Sequence, residues 1–208
     1  MTRLPQVIGA VLLLFGTTLA GCAEPPYESP FLGDEEVPAP TVSGVTLVDS
    51  NNTSWSLDLM RGDVLVVAFI FTRCPDVCLA TESNMIAISN HYPADNRSNL
   101  TFISIALDPW SDTAADMDGF ADTYGADWLH LTAVGAGTAD QGYPDLEVAW
   151  SRFGIGVRSY EHGDDDYLID HSAPIILVDK NLDRRVAWMP DHLVVEDVAH
   201  DIDLLLAE

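Results

Sequence analysis

Positive charge is scarce in this chain. Its 208 residues carry 9 Lys+Arg against 33 Asp+Glu, a formal net charge of −24. Binding a phosphate backbone draws on clustered Lys and Arg, so the balance argues against a nucleic-acid partner, and it equally opposes docking on an anionic lipid surface. Such acidity is a property of solubility and association, and is what a saline medium favours. Cysteine is scarce too, with 3 in all, and one of them, Cys22, stands near the N-terminus. No internal repeat is visible. The longest N-terminal apolar run, Val7 to Ala20, is about 14 residues, short of the about 20 that a spanning helix needs. Hydrophobic residues nevertheless make up 48%, which excludes a disordered acidic tail and predicts one globular domain with short additions.

The N-terminus has the layout of an export signal: Arg3, the apolar run, then Leu19-Ala20-Gly21-Cys22. The small residues before Cys22 resemble a lipobox, in which the cysteine becomes the new N-terminus and carries the lipid. Residues 1–21 are therefore expected to be a lipoprotein signal peptide. Residues 22–40 are expected to be a lipidated Cys22 followed by a proline-rich, acidic tether, AEPPYESPFLGDEEVPAP. Residues 41–208 are then the folded unit, outside the cytoplasm and held at a membrane by the lipid.

Within that unit, Val45 to Val48, a polar turn and Trp55 to Leu57 alternate as a hairpin does. Leu65 to Phe71 and Leu100 to Leu107 are continuously apolar and rich in β-branched and aromatic residues, the pattern of strands covered on both faces. Helices are expected from Pro75 to about Asn90, around Met117, Phe120 and Tyr124, from Pro144 to Phe153, and from about Val194 to Leu206. Further short strands fall at Leu129 to Val134, either side of His162 to Asp166, at Ile175 to Val178 and at Arg185 to Trp188. Strands and helices alternate, which predicts an α/β fold with helices on both faces of the sheet.

Cys74 and Cys78 lie four apart, directly after the first buried strand. If the helix begins at Pro75, positions i and i+4 share a side with Cβ atoms about 5–6 Å apart, within reach of one metal ion or, with adjustment, a disulfide. Unpaired N–H groups and partial positive charge at a helix start favour thiolate, which promotes both outcomes. The spacing excludes neither.

Three segments occur in order: Phe71-Thr-Arg-Cys-Pro-Asp-Val-Cys78, Ile103-Ser-Ile-Ala-Leu-Asp-Pro109, and Tyr167-Leu-Ile-Asp-His-Ser-Ala-Pro-Ile-Ile-Leu-Val-Asp179. Together they resemble the Sco/SenC family of copper proteins, over nearly all of residues 41–208. The resemblance implies a thioredoxin-like fold, a central mixed β-sheet with helices on both faces and an N-terminal β-hairpin. It also implies a membrane-tethered copper metallochaperone that helps assemble the dinuclear copper centre of cytochrome c oxidase, whose copper-centre subunit, or another cuproprotein, is the expected partner. Carried over, Cys74, Cys78 and His171 match the three copper ligands, with His171 lying 97 positions beyond Cys74. Soft thiolates suit Cu(I) and an added imidazole suits Cu(II). Asp108 and Asp170 match positions near the site, where a carboxylate orients an imidazole. Of the other histidines, His91, His130, His162, His192 and His200, none carries a family motif.

The chain departs from the family pattern at Leu79, where a proline often follows the second cysteine, and at Arg73, whose charge precedes the first. Pro174 stands before Ile175 to Val178 as the cis-proline of thioredoxins stands before the strand beside their redox cysteines. That placement supports an alternative, a thiol-disulfide oxidoreductase that reduces cysteines of a cuproprotein, with Cys74 attacking and Cys78 resolving.

Overall fold

A computed structural model describes residues 27–74, 77–93, 97–137, 142–161, 167–171 and 174–208, with the side chains of 77–79 and 159–171 outside that description. Ten strands and four α-helices are described: β1 Asp34–Glu35, β2 Thr46–Val48, β3 Ser54–Ser56, β4 Val64–Ile70, α1 Val77–His91, β5 Leu100–Ala106, α2 Ala114–Tyr124, β6 Leu129–Leu131, α3 Pro144–Phe153, β7 Val157–Glu161, β8 Tyr167–His171, β9 Ile175–Val178, β10 Arg184–Trp188 and α4 Val195–Ala207. Six strands form one mixed sheet in the order β1-β10-β9-β4-β5-β6. The β4–β5 and β5–β6 pairs are parallel, and β9 returns antiparallel to β4. β2 and β3 form the expected N-terminal hairpin, and β7 and β8 form a second one.

All seven residues of β4 are buried, because alternate side chains feed two cores. Leu65, Val67 and Phe69 join Leu47 and Leu57 of the hairpin region, Met117 of α2, and Leu146, Ala149 and Phe153 of α3. Val64, Val66 and Ala68 join Met85 and Ile88 of α1 and Val198, Ile202 and Leu205 of α4. Full burial of one such side chain contributes about 1.5–3 kcal/mol, so a strand read as continuously apolar is a strand with helices on both sides. The Phe69 and Phe153 rings meet edge to face at 5.3 Å.

Helix boundaries follow local chemistry. Thr113 and Asp116 close a capping box at the start of α2, and Pro144 opens α3 where its missing N–H costs nothing. Gly154 ends α3 at φ +68°, a left-handed turn that a side chain would strain. α1 is described from Val77, and Pro75 lies outside the described residues.

Pairing with the sheet extends upstream of Thr41. Asp34 and Glu35 pair with Ala187 and Val186 of β10, and Phe31 is buried against the α1/α4 core. The carboxylate of buried Asp201 accepts the N–H groups of Leu32 (2.8 Å) and Gly33 (2.9 Å). A Cβ on Gly33 would stand 2.5 Å from the Trp188 ring, so the segment lies this close only as glycine. Two paired residues carry no readable alternation, which is why a proline-rich stretch conceals the strand. Residues 1–26, with the signal segment and Cys22, lie outside the described residues. Among the described residues no helix is long and apolar enough to cross a membrane.

Candidate metal centre

The parallel strands β4 and β5 end side by side, with the Leu107 N–H donating to the Ile70 carbonyl at 2.7 Å, and their following loops share one end of the sheet. Ligands of open α/β sheets gather at this carboxyl end. The loop after β4 turns through Thr72, Arg73 and Cys74, closed by the Cys74 N–H on the Phe71 carbonyl at 3.2 Å. Cys74 is half-buried and packs against the α2/α3 core. Cys78 stands in the first turn described for α1, where the helix presents its unpaired N–H groups.

The loop after β5 fastens this turn from the side. Asp112 is fully buried, and its Oδ1 accepts both the Thr72 N–H (3.0 Å) and the Thr72 hydroxyl (2.7 Å). Asp108, nearly as buried, pairs through Oδ2 with Arg73 Nη2 at 3.5 Å and accepts from the Ser111 hydroxyl. Burial, opposed by the Thr72 hydrogen bonds and reinforced by the charge of Asp108, pushes the Asp112 carboxyl up to about 7.

The third element is the β7–β8 hairpin. Its register sets His171 opposite Val157 and Asp170 opposite Arg158. Val157 lines a cavity of about 310 Å³ together with Pro109, Trp110, Tyr143, Glu147 and Trp150. Thus the hairpin end that carries His171 in its backbone borders the loop of Asp108, which in turn holds Arg73 beside Cys74. The side chains of Cys78, Asp170 and His171 and the Ala173–Pro174 bond lie outside the described residues. Among the described residues no three His, Cys, Asp or Glu side chains gather to hold a metal. Chemically, two thiols and one imidazole fit a soft, exchangeable ion better than a closed structural zinc site, which wants four ligands.

Two features escape the sequence reading. Asp112 carries no motif by itself, and only the fold shows that it is buried against the cysteine turn. Glu82, one helical turn beyond Cys78, is fully buried and faces His130 of β6. Neither Glu82 oxygen nor His130 Nε2 has a hydrogen-bond partner among the described residues.

Comparison with known proteins agrees with the architecture. A model of the SCO1/SenC family matches residues 34–207. A Stutzerimonas stutzeri protein named for copper binding is 30% identical over 132 residues, covering 64% of this chain and 61% of that protein. The chain thus spans about three fifths of the length of the first curated relatives it matches. Apo Sco1 of Thermus thermophilus superposes with a TM-score of 0.69 at 22% identity, over 85% of this chain and 97% of that one. Copper-bound ScoI of Bradyrhizobium japonicum superposes at 0.63 and 20% identity, over 84% and 99% of the two chains. These likenesses show the thioredoxin-like fold.

Proposed function

This chain belongs to the SCO1/SenC family, and on that premise we propose that it binds copper through Cys74, Cys78 and His171 and delivers it to the dinuclear copper centre of cytochrome c oxidase. The observation that carries the reading is the junction at the carboxyl end of β4. Two buried carboxyls hold the turn before Cys74, Cys78 lies in the first described turn of α1, and the hairpin of His171 borders the same loop. Two thiolates would supply soft, anionic donors for Cu(I); the imidazole would extend the site to Cu(II). Three ligands leave the ion accessible to an incoming thiolate or imidazole, and a carrier depends on that access. Asp170 would orient the imidazole and Asp108 would keep Arg73 aligned beside the first thiol.

Lipidation at Cys22 would hold the domain at the outer face of a membrane, next to a membrane-bound recipient. A second reading draws on the placement of Cys74 just before, and Cys78 within, the first described turn of α1, which suits thiol exchange. Here the Cys74 thiolate attacks a disulfide of the recipient and displaces one of its thiolates. Cys78 then displaces the other, leaving a Cys74–Cys78 disulfide on this chain and a dithiol on the recipient.

A transfer assay tests the reading: copper-loaded protein is mixed with an apo, reduced dinuclear-copper domain and the acceptor's copper spectrum is followed. Delivery by wild type and its loss in Cys78→Ser supports the carrier. Retention of copper without delivery, alongside ready reduction of an oxidised acceptor, replaces it with the reductase.

A further inference from the structure

We propose that Asp112 is a positioning residue for the cysteine turn: its carboxylate clasps Thr72 and thereby fixes Cys74 for its partner, and taking up a proton weakens that clasp. The inference rests on the proposed use of Cys74 and adds a control that lies in no ligand.

Asp112 is an expensive residue to bury. It has no solvent exposure, its Oδ1 accepts two hydrogen bonds from Thr72, and Oδ2 has no partner among the described residues. Its own backbone is pinned on both sides, the N–H donating to the Asp108 carbonyl at 2.6 Å and the carbonyl accepting from the Thr132 hydroxyl at 2.9 Å. The carboxyl therefore cannot follow Thr72 if the turn moves, and the strength of the clasp depends on its charge, because hydrogen bonds to an ionised acceptor are about twice as strong as neutral ones. The charged groups around it in the described structure are Asp108 in its own loop and, through Asp108, Arg73 from the cysteine turn; β6 and its following residues contribute the neutral Thr132 hydroxyl. Burial and the Asp108 charge raise the carboxyl to about 7, where small changes in pH change its charge.

The test uses the full chain with isotope labels. Carboxyl carbon and amide shifts are followed for Asp112 and Thr72 from about pH 5 to about pH 9, without metal. Cu(I) retention against a competing chelator is measured over the same window. So is the Cys74–Cys78 disulfide equilibrium with glutathione, in which two glutathione thiols supply the electrons and protons and leave as glutathione disulfide. Asp112→Asn keeps an acceptor for Thr72 but removes the charge. The Asp112 carboxyl and Thr72 amide should titrate together near 7, and wild-type copper retention should rise with pH by roughly fivefold more than in Asp112→Asn. Thr72→Ser should behave as wild type and Thr72→Val should lose part of the retention, which reads the clasp even if Asp112→Asn folds poorly. An Asp112 carboxyl titrating in the ordinary range with a silent Thr72 amide overturns the proposal, as do superimposable pH profiles of wild type and Asp112→Asn. If wild type binds no copper at any pH, the copper reading fails, while the resonance and glutathione measurements still decide the clasp.

Discussion

Glu82 Oε1 and His130 Nε2 face each other at 3.7 Å inside the α1 side of the core, each without another hydrogen-bonding group in reach among the described residues. The His130 ring stacks on Trp128 at 5.8 Å between centroids and sets Nδ1 against the Trp128 carbonyl at 3.1 Å, so its orientation is fixed. A carboxyl that points inward from a helix is tolerated where a polar group meets it.

The pair predicts strong non-additivity. His130→Leu should cost about 1–3 kcal/mol by leaving the buried Glu82 carboxyl without its polar neighbour, whereas Glu82→Leu with His130→Leu should recover much of that loss. Urea unfolding of both single variants and the double variant measures the coupling. Additive losses would mean that the two side chains do not sense each other.

Asp112 should make stability fall as pH rises from its unfolded value toward about 7. A carboxyl raised from 3.8 to about 7 keeps its proton in the folded state after the unfolded chain has lost it, so the folded state binds more protons between those values. Stability is therefore greatest at the acid end of that window and declines as pH rises through it, by up to about 4 kcal/mol from this group. Asp112→Asn should remove that component and be the more stable protein above neutrality. Denaturation midpoints across the window check it; a wild-type minus variant difference that does not change with pH contradicts it.

The N-terminal segment should be released by one distant change. Asp201 accepts from Leu32, Gly33 and the Trp188 indole N–H (3.2 Å) and lies 3.1 Å from His200 Nδ1, so Asp201→Ala orphans three donors and removes a neighbour of the imidazole. The expected loss is about 3 kcal/mol, with fast amide exchange at Leu32 and Gly33 and unchanged copper binding. Hydrogen exchange that stays slow at these amides would show that β1 holds without the carboxylate.

Cys22 should be the first residue of the mature chain and carry lipid. Mass spectrometry of protein recovered from the cell envelope checks this. An unprocessed N-terminus, or cleavage that removes Cys22, contradicts the anchor.

Legibility of the fold tracked how much of each element's stability lay in its own sequence. α3 runs from Pro144 to Phe153 as its proline and the spacing of Leu146, Ala149, Trp150 and Phe153 dictate. β4 and β5 are visible because both faces are covered, leaving no polar residue to obscure the run. β1 is held by backbone pairing and by Asp201, 166 or more positions away, and nothing in DE alone announces it. The same limit applies to the site. Cys74, Cys78 and His171 were legible through a resemblance, but the partnership of Asp112 with Thr72 spans two loops, and an aspartate before a capping threonine looks like any solvated turn. Glu82 interrupts the apolar face of α1 that Met85 and Ile88 continue, and only the position of β6 shows that His130 receives it.

A copper titration of reduced wild type, His171→Ala and Cys78→Ser tests the central claim most directly. Wild type should take up one copper in either oxidation state. His171→Ala should lose Cu(II) retention by at least the roughly tenfold that removing even an outer partner of a metal site costs, while its two thiols still form and exchange a disulfide. Cys78→Ser should lose both. Wild type that binds no copper, or His171→Ala that holds Cu(II) with wild-type affinity and an unchanged spectrum, would contradict the assignment of these three residues as the site.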